Sequence, residues 1–379
     1  MSVQGMDIAV IGGGVGGLCA ALCFARRGAS VRVYERAAEL SEVGAGIQVS
    51  ANGMRVLHAL GLTEQAQHFG FESKGLTLNA VTGRRVAILP NGPTRETRLF
   101  HRADMITLLS DACAEAGVEV LLGENISPEN RLSSDLIVAA DGVKSAFRPW
   151  VTGDERAAQF TGQVAWRALV PTPEPITEGG VNLYMGPGRH VVVYPLRAGR
   201  LLNIVAVEET RTWNDEGWHN AASPTDLSAR FDVFGGAVAR LLPHVTDVFR
   251  WGLFGHRVPQ SWVRENVVLL GDSAHAMLPF LAQGAVMAIE DAWVLAQFVD
   301  NHPGTAGLVG YEAVRKERVA RVMKEAAANA HRFHIHNPVA ARAAQMVLGL
   351  GGRLAPGVFH RRYSWLYDHD VTAQASSST

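Results

Sequence analysis

Three glycines and an acid near the N-terminus have the spacing that holds a dinucleotide. An apolar run, Met6–Val10, enters IGGGVGG, which supplies Gly12, Gly14 and Gly17, and Glu35 closes the next apolar run, VRVYE. In such a pattern the first glycine permits the tight turn after a strand. The second lets backbone approach a pyrophosphate, and the third lets the following helix pack on the sheet. That helix, expected over about residues 14–27, turns its free N–H groups and positive dipole end toward the phosphates. Glu35 stands 18 residues after Gly17 (35 − 17), close to the ~20 expected of an acid that binds a ribose 2′-hydroxyl. An acid there repels a 2′-phosphate, so the adenosine belongs to FAD or NAD rather than NADP.

A second segment, VVLLGDSAHAMLPFLAQGAVMAIEDA, runs from Val267 to Ala292. It reads as a second grip on the same dinucleotide, and the pair points to a flavin enzyme. No second G-x-G-x-x-G follows a strand. Gly349, Gly351 and Gly352 in GLGGRLAPG come after a helix-like stretch and read as a helix stop. The chain therefore has no separate Rossmann domain for a nicotinamide cofactor.

The elements that position these motifs follow from pattern. The chain has 379 residues, 47% hydrophobic and 19% charged, with a net charge of −1. This is the composition of a globular α/β enzyme without a basic surface for nucleic acid or anionic lipid. Cys19, Cys23 and Cys113 form no zinc or disulfide pattern, and Cys19 and Cys23, four apart on the first helix, are expected to face the core. A cytoplasmic protein without a signal peptide or membrane span is expected, because the first strand begins almost at once and its apolar stretch is broken by glycines, Arg26 and Arg27.

Helices are expected over 51–60, 102–116, 225–242, 283–299 and 305–333, with another after Asn337-Pro338. Antiparallel strands are expected over 75–100 and in VAWRALV, HVVVYPL and RLLNIVAV. The fold class is α/β, with a Rossmann-type FAD-binding domain, an inserted, mainly antiparallel β-sheet substrate domain and C-terminal helices. The expected boundaries are 1–75, 101–163 and 261–300 for the discontinuous FAD-binding domain and 76–100 and 164–260 for the substrate domain. Residues 301–379 form the C-terminal helices and a disordered tail, AQASSST.

In order along the chain, VGAGIQ, HRADM, LIVAADGVKSAFR, GQVAWRALV, MGPGRHVVVYPL and the GDSAHAMLPFLAQG block resemble the single-component flavin monooxygenases of the para-hydroxybenzoate hydroxylase class. The similarity is greatest to their salicylate hydroxylase-like branch and covers nearly the whole chain. Carried over by position, it implies that Gly12, Gly14 and Gly17 meet the pyrophosphate of non-covalent FAD and that Glu35, with Arg36 beside it, meets the adenosine ribose. Arg102 pairs with the pyrophosphate, Asp272 accepts hydrogen bonds from the ribityl chain, and Asp141 and Gly142 serve both FAD and NAD(P)H. Gly284 opens a helix whose dipole steadies the reduced flavin. The implied reaction uses NADH or NADPH as a transient co-substrate and O2, and hydroxylates a phenolic or heteroaromatic ring through a flavin C4a-hydroperoxide. A flavin oxidoreductase without oxygen insertion is the alternative on the same scaffold. The partners are then small molecules, and the chain is a monomer or homodimer.

His190 and Tyr194 lie four apart on GRHVVVYPL, so both project to one face of a strand. Either they meet the substrate, His190 as base and Tyr194 as positioning donor, or they close a polar sheet face. The resemblance places Pro279 over the flavin ring, with Phe280 and Leu281 as apolar pocket wall. Ser50-Ala51-Asn52 replaces the family's more usual Pro-Asn step, which leaves the contacts at the flavin edge open. No arginine stands out as a carboxylate anchor: Arg84, Arg85 and Arg167 read as exposed or structural. His331, His334 and His336 lack the carboxylate or thiol partners of a metal site, and RKERVARVMK reads as a solvated helix face.

Overall fold

The computed structural model describes residues 3–40, 46–213, 220–354 and 356–373. A six-stranded sheet holds the first motif. Its order is Val263–Arg264, Val267–Leu269, Leu136–Ala139, Asp7–Ile11, Ser30–Glu35, Glu119–Leu122. All neighbours pair in parallel except the first two strands, which are antiparallel. Parallel strands are covered on both faces and so read as unbroken apolar runs. Ile8, Ala9, Val10 and Ile11 are accordingly all buried. The helix Val15–Ala25 packs between this sheet and the helix Gly284–Asn301 and is buried almost all round, Cys19 and Cys23 included.

The second sheet has eight strands: Asn220–Ala222, Val248–Gly255, Gln159–Pro171, Leu201–Glu209, Arg189–Leu196, Val181–Gly186, Gly75–Ala80, Arg85–Pro90. Every neighbouring pair is antiparallel except Val181–Gly186 with Gly75–Ala80. A small sheet of Gly46–Val49, Arg98–His101 and Phe71–Glu72 lies between the two large ones in the chain's path. On the strand Arg189–Leu196, His190 and Tyr194 are opposite Val207 and Asn203 of the neighbouring strand. Both side chains leave the same face.

The C-terminal part is helical: Thr305–Phe333, Pro338–Leu354, Pro356–Arg362 and Ser364–Tyr367. No helix among the described residues is long and apolar enough to cross a membrane. Two expectations need correction here. Gly349, Gly351 and Gly352 do not stop a helix; they lie inside Pro338–Leu354. This helix packs on the strand Arg85–Pro90, where a Cβ at Gly349 would sit 3.1 Å from the Val86 carbonyl oxygen, so the missing side chain permits close packing. Nor is RKERVARVMK simply a solvated face. Arg315 is fully buried, and Arg318 turns inward beside it. The disorder expected of the tail falls, apart from Ala373, at 374–379, outside the described residues, as does half of the VGAGIQ segment, 43–45.

Candidate functional site

A cavity of about 980 Å³ joins the two sheets. At one end it is lined by Gly12, Gly14, Glu35 and Arg36; it passes Arg102, Asp141, Gly142 and Asp272, then Pro279 and Gly284, and ends on the eight-stranded sheet at His190 and Tyr194. Of the residues expected to hold FAD or act in catalysis, Gly17 alone is off the cavity wall. A Cβ there would lie 1.9 Å from the Gly12 carbonyl oxygen, so Gly17 permits strand and helix to touch. Gly12 has φ +108°, and a Cβ would meet the Ala140 oxygen at 2.4 Å, which makes that turn available to glycine alone.

The polar groups along the wall suit a dinucleotide. Glu35 accepts the Gly13 N–H at 2.6 Å through one carboxylate oxygen and the Ala37 N–H at 2.8 Å through the other, which fixes the acid at the turn. Nothing lies within 4 Å of where a Cβ of Gly14 or Gly142 would be, so backbone is bare to the cavity at both. Arg102 begins the helix Arg102–Glu115. Burial, then the nearby charge of Arg167, push its pKa down to about 10, with Asp272 opposing. Two desolvated guanidinium groups near each other favour an anion between them. Asp141 accepts the Ala146 N–H at 2.8 Å through Oδ2, while Oδ1 is buried without a hydrogen-bond partner among the described residues. Burial raises its pKa. These bare amides, cations and spare acceptors fit an FAD laid along the cavity.

At the far end, His190 is buried, with its Nδ1 2.6 Å from Nε2 of His334. Burial first, then proximity to His334, hold His190 well below the ordinary imidazole pKa. It is therefore a neutral ring at neutral pH, and Nε2 is the nitrogen left to meet a ligand. Phe280 and Phe333 pack edge-on against it, at centroid distances of 5.0 and 5.4 Å. Tyr194 packs on Gly46, and burial pushes its pKa up to about 12 against the pull of Arg167 and a hydrogen bond with Gln48.

Of the three arginines considered, Arg167 is the one that reaches the cavity. Arg84 hydrogen-bonds Gln345 at the surface and Arg85 is exposed, but Arg167 lines the cavity with its guanidinium 4.6 Å from the Trp251 ring. Its Nε is buried and has no hydrogen-bond partner among the described residues. Burial lowers its pKa.

A buried polar network that the sequence did not announce holds the wall near Gly284. Gln283, the residue before the helix, donates to Ser50 at 2.9 Å and accepts from Asn52 at 3.1 Å. Asn52 also donates to Glu290 at 2.7 Å. Glu290 pairs with Arg315 and Arg318, and Asp291 with Arg315 and His275, all within 2.7 Å. Asp291 further accepts the Gly271 N–H at 3.2 Å, which ties the Gly271-Asp272 turn to the same helix. The Ser50-Ala51-Asn52 step thus serves the frame of the cavity. Beside it, the chain turns from Pro279 to Ala282, whose φ of +52° is strained for a non-glycine residue.

Known proteins resemble this chain over most of its length. The family described as FAD binding domain matches residues 5–127 and 120–326. A 3-amino-4-hydroxybenzoate 2-monooxygenase of Streptomyces cremeus is 36% identical over 352 residues, covering 86% of this chain and 88% of that protein. A 3-hydroxybenzoate 6-hydroxylase of Aquipseudomonas alcaligenes is 32% identical, covering 96% and 98%. Among solved structures, Klebsiella pneumoniae HpxO complexed with FAD and uric acid superposes with a TM-score of 0.81 at 26% identity, covering 93% of this chain and 95% of that one.

Proposed function

The chain belongs to the FAD binding domain family and is an FAD-dependent monooxygenase that hydroxylates an aromatic ring; we propose that the ring is a hydroxy- or aminohydroxybenzoate, held by its acid group at Arg167 and by its hydroxyl at His190. The observation that carries this reading is Arg167, a buried cation facing the cavity with an unused donor. The substrates named for the two relatives, both hydroxylated benzoates, support it.

In this reading Gly12, Gly14, Glu35 and Arg36 hold the adenosine and pyrophosphate end of FAD. Arg102 neutralises phosphate, Asp141 and Gly142 border the phosphates, and Asp272 accepts from the ribityl hydroxyls. The helix starting at Gly284 offers N–H groups and its positive end to the isoalloxazine. Bound FAD supplies the redox chemistry, in which electrons from NADH or NADPH activate O2 so that one oxygen atom enters the ring. The reductant binds only transiently, since the chain has one dinucleotide fingerprint. The division of the chain at residues 75, 100, 163, 260 and 300 belongs to the same reading; the strands of the two large sheets support it in outline, while Arg98–His101 and Gln159–Pro171 straddle the divisions at 100 and 163.

The protein's own part is to ready the ring and keep the site dry. His190, neutral because it is buried, accepts the hydroxyl proton at Nε2, and the resulting phenolate feeds electron density to its ortho and para carbons. Tyr194 positions the ring from the same strand. Pro279, Phe280 and Leu281 line the cavity beside them, shielding the reacting centre from water.

The test is substrate-stimulated NADH and NADPH oxidation with 3-amino-4-hydroxybenzoate, 3-hydroxybenzoate and salicylate, each against the phenol lacking its carboxylate, with labelled O2 traced into product. The acids are expected to stimulate turnover and acquire the label. Equal or greater stimulation by the decarboxylated phenols would remove Arg167 as the anchor.

A further inference from the structure

Of the three C-terminal histidines, His334 and His336 meet a carboxylate, Glu209, that their spacing in the sequence did not show. The long helix ends at Phe333, and His334 follows with its ring buried beneath the strand that carries His190. Its Nε2 is 2.6 Å from His190 Nδ1, and its Nδ1 is 3.0 Å from one carboxylate oxygen of Glu209. The other oxygen of Glu209 is 2.9 Å from Nε2 of His336. Accessibility rises along the series: the side chain of His334 is fully buried, that of Glu209 is 40% exposed and that of His336 is 69% exposed. An unbroken hydrogen-bonded line therefore runs from the cavity wall to solvent, with Phe280 and Phe333 packed around its inner end. His331, on the helix, stands outside the line and contacts the Ala327 carbonyl.

We propose that His334 and Glu209 relay the substrate's hydroxyl proton from His190 to solvent at His336. The proposal rests on His190 being the base. The substrate O–H bond breaks and its proton goes to His190 Nε2. The proton on His190 Nδ1 passes to His334 Nε2, and that on His334 Nδ1 passes to the Glu209 carboxylate, which releases it to water or to His336. Each imidazole gains one proton and loses one, so both end neutral in the other tautomer and no electrons move. Reprotonation of the product runs the same line backwards and restores the starting tautomers.

This arrangement answers a physical difficulty. Burial, and each ring's neighbouring imidazoles, disfavour a charge on His190 or His334, although Glu209 partly offsets this at His334. A lone base in that place would have to hold an imidazolium in an apolar pocket. A concerted relay does not, because each ring gives up one proton as it takes another and the last proton neutralises the Glu209 carboxylate. Burial works against that carboxylate, but hydrogen bonds from His336 and His334 outweigh it and keep the group ionised, ready to accept. The groups facing the line are few: His190 from its strand, Glu209 from the neighbouring strand, and His331 and His336 from the segment of His334. The other close neighbours of His190, Phe280 and Phe333 and the cross-strand Met185 and Val207, bring no charge.

The experiment uses the FAD-loaded full chain and its His190→Asn, His334→Asn and Glu209→Gln variants. Each is mixed rapidly with 3-amino-4-hydroxybenzoate, 3-hydroxybenzoate or salicylate in weakly buffered phenol red. Proton release and the phenolate absorbance of the bound ligand are followed together. His334→Asn and Glu209→Gln should slow both by about a hundredfold, the lower end of the range for a positioned base, and free imidazole should restore the rate in His334→Gly. Unchanged proton release in both variants overturns the relay. If His190→Asn still abolishes release in that case, His190 stands as a base that works alone; if it does not, the base assignment falls as well. A measurement that needs no ligand accompanies this: ¹⁵N spectra of histidine-labelled protein should show Glu209→Leu shifting His190 as well as His334. A shift confined to His334 would also refute the coupling.

Discussion

Replacing Arg315 by methionine tests whether the buried network holds up the cavity. Arg315 is fully buried, with Nη1 2.6 Å from Glu290 and Nε 2.7 Å from Asp291. The variant leaves two buried carboxylates short of a cation. Glu290 keeps Arg318 and Asn52, and Asp291 keeps His275. The loss should therefore lie at the low end of the range for a broken buried ion pair, about 3 kcal/mol. With about 2 °C per kcal/mol for a large domain, the apparent Tm falls by about 6 °C. Burial opposes ionisation of both acids, yet the cations lower both pKa values. Groups with depressed folded pKa values stabilise above their unfolded values, near about 4, and lose that contribution as pH falls through the folded values. The deficit of Arg315→Met should be full at pH ~7 and shrink below pH ~4. Because Asn52 and Gln283 join the network to the cavity wall, FAD affinity should fall too. Thermal unfolding followed by flavin and tryptophan fluorescence, with FAD titration of the apoprotein, measures all three. An unchanged Tm together with unchanged FAD affinity would refute the argument.

Other perturbations address the site directly. Asp272→Ala should weaken FAD binding by about tenfold or more, since each lost hydrogen bond to a charged group is worth about 1.5–3 kcal/mol; full occupancy at equal FAD would reject its assignment to the ribityl chain. His190→Asn should lower hydroxylation by about 100- to 10,000-fold while FAD stays bound and hydrogen peroxide rises; unchanged rate and coupling would leave His190 a scaffold residue, with Tyr194 next in line. Since burial lowers the His190 pKa, the acid limb of kcat/KM should lie below the unperturbed value of about 6.5, and a limb centred above it would mean that another group titrates. Arg167→Gln should raise KM for hydroxybenzoates far more than for carboxylate-free phenols, and an equal effect on both would assign Arg167 to the flavin instead.

Much of the nucleotide-binding part was legible because local physics dictates it. A tight turn that leaves room only for glycine at Gly12, a helix that touches its strand at Gly17, and an acid 18 residues on (35 − 17) are short-range demands on residue type. The long helix 305–333 was legible for the same reason, since its apolar spacing persists to Phe333. The glycines at 349–352 misled because a helix-breaking residue can also be the one small enough for a helix to lie on a strand. Whether close packing or chain reversal is being served depends on Arg85–Pro90, more than 250 residues earlier (349 − 90 = 259).

The site was legible in proportion to how locally its residues act. His190 and Tyr194 could be paired from strand periodicity alone, but the face they share acquires its chemistry from partners distant in sequence. Arg167 looked structural because an arginine within an apolar strand normally finds a carboxylate, and it lies in the cavity because the neighbouring strand presents Trp251 to it instead. Arg315 looked solvated because its segment is rich in charge; it is buried because Glu290 and Asp291, adjacent on another helix, present two anions to one guanidinium. His334 lies 144 residues beyond His190 (334 − 190) and meets it only because the long helix ends over that strand. Periodicity records which face of an element is apolar. It does not record which charge will stand opposite, and at this cavity that opposition decides whether an arginine binds a ligand or braces a helix, and whether a buried histidine must keep a proton or can pass it on.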